Sequence, residues 1–411
     1  MKKIFIILVV VIVLALLGVS MWWFFSRNTS STATGTSQTF NPFGLFDTTS
    51  NTTTTGTIAT STNGQPAGIG EQQKQFVTIV SEKAVAGSTF ATTTLGTSTE
   101  TFLRFVERET GHIFDYSTAT GQKTRISNTT IPRIREAVWG NNGLTVALRY
   151  LGDGDTIETF LGTLASSTNP TNESRLTGSY LPKDISTLSI HKTLPETFYL
   201  MKTDVGGIGY VVNKGVTENA FSHPFSQWQV AWSGPSSILM TTAPSAQSSG
   251  NGFLLNIQTG TFTRVANSIV ALTALPNTDG SLILLGSLAQ SLPRLSLYNV
   301  KTSERTPINI STLPEKCTWT NTTVVYCAIP VTNVRGSIPD DWYQGVISFS
   351  DEIWKINTTT ENSEFVLDPK KYVPEGVDAI DLHVSSDETY LSFVNKKDGS
   401  LWLVDLTLQT Y

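Results

Sequence analysis

Apolar residues follow two different rhythms along this chain. From Ile4 to Phe25 the sequence is continuously uncharged and almost wholly apolar, with Lys2 and Lys3 before it and Arg27 after it. Beyond residue 73 the apolar positions fall instead in short runs separated by Gly, Asn, Asp, Ser and Thr. The first pattern predicts a membrane-spanning helix. The second predicts many short β-strands joined by tight turns, with no amphipathic helix between them.

The 22 residues Ile4–Phe25, as a helix, reach roughly 33 Å, which matches a hydrocarbon core of roughly 30 Å. Lys2, Lys3 and the α-amino group precede the span, so the positive-inside rule places the N-terminus in the cytoplasm and the rest outside. Trp22, Trp23, Phe24 and Phe25 would form an aromatic belt at the outer interface. A cleaved signal peptide is the rival reading, with Gly18-Val19-Ser20 at its cleavage site. Residues 26–73 are Ser/Thr-rich and too poor in apolar side chains to offset chain ordering, which predicts a disordered linker. Phe40, Phe43 and Phe46 interrupt it as a candidate docking motif, or as a cluster without a partner. The expected domains are therefore the anchor 1–25, the linker 26–73 and a β-domain 74–411.

Inside the β-domain one hairpin element recurs: an apolar or aromatic residue, a polar turn, then an apolar strand. It reads Ala137-Val138-Trp139-Gly140-Asn141-Asn142-Gly143-Leu144 and Val230-Ala231-Trp232-Ser233-Gly234-Pro235. Weaker copies lie at residues 274–283, 317–325 and 382–391. A second element, a strand ending in a Thr-Gly-type turn, follows each hairpin. Its landmarks Gly121, Gly215, Gly260 and Ser303 are separated by 94, 45 and 43 residues, the first gap being two units. Four short strands per unit and a period near 45 residues are the signature of propeller blades. The landmarks predict about seven blades, with six or eight still open. The last unit stops at its third strand, Ser400–Leu406, while residues 75–81 form a strand before the first. Closure removes exposed edges, so residues 75–81 are expected to complete the final blade.

The hairpins resemble the bacterial TolB-type (PD40, WD40-like) propeller repeat, which reads roughly Trp-Ser-Pro-Asp-Gly before an apolar strand. Trp232-Ser233-Gly234-Pro235 and Trp139-Gly140-Asn141-Asn142-Gly143 match it in part, and Asn277-Thr278-Asp279-Gly280 matches its second half. The resemblance covers about residues 130–395 and implies a fold rather than an activity.

Composition narrows the function. The chain carries 28 Lys+Arg against 33 Asp+Glu, a net charge of -5, and no basic run follows the first residues. Nucleic acid is thereby disfavoured as a partner. Cys317 and Cys327 fall opposite each other in one hairpin if Asn321-Thr322-Thr323 is its turn, so a disulfide or two buried thiols is expected. The four histidines, His112, His191, His223 and His383, are scattered among different units. No nucleophile elbow, Walker loop or zinc-protease motif is present, and no cofactor or metal is expected.

The most unusual stretch is an insertion at Val331–Gln344 carrying Arg335, Asp340, Asp341, Trp342 and Tyr343. It reads either as a recognition loop or as a rim loop that packs Trp342 over a blade edge or plugs the channel. The expected function is a non-enzymatic binding or scaffolding module at the cell envelope, meeting a protein or glycan. A glycan hydrolase or lyase is the alternative, with Asp341, Glu107 and Glu109 as candidate carboxylates converging on the axis.

Overall fold

A computed structural model describes residues 75–409, apart from 96–97, 165–175 and 333–334. The apolar run Ile4–Phe25, the linker 26–73 and the motif Phe40, Phe43, Phe46 lie outside the described residues. Among the described residues no helix is long and apolar enough to cross a membrane.

Within the unit Gly70–Tyr411, the strands form seven four-stranded antiparallel sheets, the blades of a propeller. Blade 1 comprises Val85–Leu95, Ser98–Glu107, Ile113–Ser117 and Lys123–Arg125. Blades 2 and 3 begin with Glu136–Gly140 and Ile185–Ile190, and blades 4 and 5 with Trp228–Ser233 and Thr273–Pro276. Blade 6 comprises Cys317–Trp319, Val324–Pro330, Asp351–Asn357 and Ser363–Leu367. Blade 7 comprises Ala379–Val384, Tyr390–Asn395 and Leu401–Asp405. Strand order follows chain order in blades 1–6, and first strands of neighbouring blades approach each other along the inner wall.

The fourth strand of blade 7 is Val77–Ser81, from the other end of the domain. Val77 lies opposite Val404, Thr78 opposite Leu403 and Ile79 opposite Trp402, and the Asp405 N–H donates to the Phe76 carbonyl at 2.9 Å. The clasp expected from residues 75–81 is thus present, and the ring has seven blades.

Why the ring closes is visible in the side chains. Each blade has a neighbour on both faces, so its middle strands are apolar on both sides rather than alternating. In Tyr390–Asn395 and Leu401–Asp405 every residue is buried. The result is a separate apolar core at each blade junction. Between blades 3 and 4, Phe198, Leu200 and Phe221 meet Trp228, Ile238 and Met240. At the closing junction, Val80, Leu401 and Leu403 meet Val85, Leu103 and Phe105. Each fully buried side chain of this size contributes roughly 1.5–3 kcal/mol.

The repeat residues have specific jobs. The indole N–H of Trp139 donates to the Gly87 carbonyl of blade 1, and that of Trp319 to the Leu275 carbonyl of blade 5, each at 3.3 Å. Gly87 permits this approach because a Cβ there would lie 2.1 Å from the Ala137 oxygen. In the Thr-Gly-type turns, the carboxamide oxygens of Asn256, Asn299 and Asn357 each accept two backbone N–H groups. Such side-chain turns favour Asn for this reason. Blade 6 contains the Cys317–Cys327 disulfide, with the two residues directly opposite in register.

Candidate ligand cleft beneath the blade 6 insertion

The second and third strands of blade 6 are joined by the long segment Val331–Ser350, which contains a single helical turn, Asp340–Tyr343. Three of its apolar residues turn inward. Ile338, Trp342 and Phe349 form an eighth core with Leu313, and Trp342 is 4% exposed. The sequence left open whether Trp342 belongs to a recognition surface; its indole is instead a structural anchor stacked on Phe349, with ring centroids 5.7 Å apart.

Beneath this anchor lies a buried charge cluster that periodicity alone did not single out. Lys316, fully buried, places Nζ 2.6 Å from Asp378 Oδ1 and 2.8 Å from Asp351 Oδ2, and donates to the Ala379 carbonyl at 2.9 Å. All three ammonium hydrogens are thereby used. The same ammonium lies 5.2 Å from the Trp342 ring centroid and 5.1 Å from that of Phe349, a cation–π geometry. Asp378 Oδ2 accepts from the Trp342 indole at 2.9 Å, the Phe349 N–H at 3.0 Å and the Ser348 hydroxyl at 3.1 Å. One carboxylate therefore ties the insertion to blade 7 while Lys316 ties it to blade 6.

Two buried carboxylates share one lysine, so they titrate differently. Burial pushes Asp351 up to about 6 despite Lys316 beside it. Burial also works to raise Asp378, but Lys316 and its three hydrogen-bond donors prevail and hold it below the usual carboxylate value.

The insertion then extends across neighbouring blades. Asp340 Oδ2 accepts the Ala246 N–H of blade 4 at 2.6 Å. Asp341 Oδ2 accepts the Ser337 N–H at 2.8 Å and closes the insertion's own turn. Lys396 of blade 7 donates to the Trp342 carbonyl at 2.6 Å. The Tyr343 hydroxyl donates to Glu315, in the turn Pro314–Lys316 that leads into blade 6. Arg335 is exposed and Tyr343 is 44% exposed, so of the five insertion residues those two retain substantial surface.

Together these elements roof a cleft of about 500 Å³ at the inner ends of blades 4 and 5. Val230, Ala231, Leu239, Leu272 and Ala274 line it, while Thr241, Thr273 and Gln229 add polar groups. Glu315 and Tyr343 stand at its mouth. Both side chains are exposed, and the protein beside them removes part of their hydration. Burial pushes the Glu315 carboxyl up, against the Tyr343 hydroxyl that pulls it down. Burial and the adjoining Glu315 likewise push the Tyr343 phenol up.

The remaining sequence candidates are dispersed. Glu107 accepts from Thr110 at 2.7 Å and pairs with Lys83 at 3.2 Å in blade 1, and Glu109 is exposed on the following turn. No hydrogen bond or ion pair among the described residues joins either of them to Asp341. Asp381 Oδ2 accepts both the amide at 2.8 Å and the hydroxyl at 3.1 Å of Ser88, and its Oδ1 meets His383 Nε2 at 3.0 Å. The carboxylate stands between serine and imidazole, so the imidazole is hydrogen-bonded to Asp381 and not to the hydroxyl; the group joins blades 7 and 1. His191 Nδ1 accepts two backbone N–H groups, His223 Nδ1 accepts one, and His112 meets Thr130. Among the described residues no three His, Cys, Asp or Glu side chains are grouped to hold a metal ion.

No protein-family model matches the chain. No curated protein matches it significantly. Some solved structures are similar to it in part. TolB from Acinetobacter baumannii is similar at 9% identity and a TM-score of 0.42, over 67% of this chain and 78% of that one. An oligogalacturonate lyase from Vibrio parahaemolyticus is similar at 9% identity and a TM-score of 0.44, over 79% and 98%. An oligogalacturonate lyase in complex with manganese stands at 10% identity and a TM-score of 0.45, with the same coverage. At these identities and TM-scores the likenesses add nothing to the fold, which stands on the strand order of the seven sheets.

Proposed function

We propose that this seven-bladed propeller is a non-catalytic binding or scaffolding module of the cell envelope, and that its insertion-bearing face meets the partner, a protein or a glycan. The observation that carries this reading is the cap itself. Lys316 and Asp378 fix the insertion across the inner end of the ring, leaving a shaped cleft lined in part by Tyr343, and Val346 of the same insertion is 69% exposed. A rigid aromatic residue next to a recess is the usual composition of an interface anchor. The carboxylates of the candidate enzyme reading are engaged in separate local networks, which favours binding over hydrolysis.

Placement outside the membrane belongs to the same proposal. The 22-residue run Ile4–Phe25 is long enough to anchor the chain, and residues 26–73 would hold the domain off the bilayer. The Cys317–Cys327 disulfide supports an oxidising compartment.

The test is position-dependent photocrosslinking in the native cell. A crosslinking amino acid at Val346 should capture one partner reproducibly. The same residue at exposed Thr278, on the turn between the first and second strands of blade 5, should not. Capture from Thr278 but not from Val346 would put the binding face on the other side and refute the proposal.

A further inference from the structure

We infer that the cleft between blades 4 and 5 receives a primary ammonium group on an aliphatic stem, with Glu315 as its counter-ion. This deepens the binding-face reading and rests on it for the partner, though not for the chemistry of the cleft. The shared chemistry has two sources, a lysine side chain of a bound protein or a free alkylamine.

The first argument is charge. Glu315 makes no ion pair among the described residues. Its neighbour in sequence, Lys316, has every ammonium hydrogen committed to Asp351, Asp378 and Ala379. Asp340 lies close enough to act on Tyr343, and Lys396 is committed to the Trp342 carbonyl. Among the residues lining the cleft Glu315 alone is charged, and an acidic ligand would be repelled. A carboxylate that has lost part of its hydration regains stability when a cation joins it.

The second argument is shape. Val230, Ala231 and Ala274, all half-buried, give the cleft apolar surface, and Glu315 and Tyr343 add polar groups. An aliphatic stem with a terminal charge fits that polarity in both halves. The cavity of about 500 Å³ has room for a lysine side chain and part of its backbone.

The third argument separates ammonium from guanidinium. Tyr343 already donates to Glu315 Oε1. A guanidinium fork binds best to a carboxylate with both oxygens open, whereas an ammonium is a point charge that needs one. The hydroxyl thus biases the site toward the lysine-type cation.

The experiment is a ligand-observed NMR titration of the full chain in detergent with four probes: Nα-acetyl-lysine methylamide, Nα-acetyl-arginine methylamide, Nα-acetyl-norleucine methylamide and n-butylamine. The lysine probe should bind saturably, and the norleucine and arginine probes more weakly, the norleucine probe by about tenfold or more, the value of a charged hydrogen bond. Glu315→Gln should reduce the lysine probe to the norleucine level while circular dichroism and Tm stay unchanged. Equal binding by n-butylamine and the lysine probe identifies a free amine as the source; a gain from the peptide amides identifies a protein. Equal affinity for lysine and norleucine probes, unchanged affinity in Glu315→Gln, or no saturable binding of either ammonium probe would overturn the assignment. Lysine binding without crosslinks at Val346 would refute only the partner-face reading, and crosslinks without lysine binding only this inference.

Discussion

Lys316 and Asp378 each stand one residue before an innermost strand, Cys317–Trp319 and Ala379–Val384, in successive blades. Their side chains meet at 2.6 Å with no exposure to solvent. Equivalent positions in adjacent repeats thus supply opposite charges to one buried pair, and the insertion is built around it.

That pair should be costly to break from either side. Lys316→Met leaves Asp351 and Asp378 close together without their cation, and Asp378→Asn removes acceptors from Trp342 and Phe349. Removing one partner of a buried pair costs about 3–5 kcal/mol. Urea unfolding should show losses of that order for both variants, and smaller losses for Asp351→Asn, which keeps the pair.

The pH dependence follows from Asp351. Its folded-state value of about 6 lies above the ordinary carboxylate value, so folding takes up a proton. The contribution of such a group is fullest below its ordinary value and is lost as pH rises through about 6. Wild type should therefore lose stability relative to Asp351→Asn between pH 4 and 7, by about 1–3 kcal/mol, and the difference should level off above that. Asp378 is common to both proteins and cancels. Parallel stability curves across this range would show that Asp351 stays ionised.

The clasp makes a third prediction. Deleting residues 1–81 leaves Leu401–Asp405 as an unpaired edge beside the core containing Trp402 and Val404. Gel filtration should show association or loss of the folded monomer, because exposed edges pair with other chains. A synthetic peptide of residues 75–82 added in trans should restore part of the thermal transition.

The disulfide is the fourth. Thiol titration of the folded oxidised chain should find no free cysteine. The double variant Cys317→Ala, Cys327→Ala should lose about 2–3 kcal/mol, as expected for a short closed loop.

Much of the fold was legible because propeller blades repeat locally. Trp139 and Trp319 mark the same inner-strand position, and the turn Asn256-Ile257-Gln258-Thr259-Gly260 carries its own hydrogen-bond code. The Cys317–Cys327 register follows from counting back from the hairpin turn. The cleft was not legible, since Glu315, Gln229 and Leu272 come from three segments that only ring closure brings together. Lys316 and Asp378 are 62 residues apart, and a lysine before a strand looks like a solvated turn until its neighbours are known. The one available signal was their shared phase, each directly preceding an apolar first strand. The insertion stood out by length, but its direction depends on Trp342 finding Asp378 and Phe349, which no periodicity encodes.

The account rests on the insertion being a fixed cap rather than a free loop, and amide hydrogen exchange measures that most directly. The Tyr343, Gln344, Val346 and Phe349 amides all donate within the cap, Phe349 to Asp378 itself. They should exchange slowly, like neighbouring strand amides, and lose that protection in Asp378→Asn. Exchange of residues 337–349 at the rate of an unstructured loop, equal in wild type and Asp378→Asn, would contradict it.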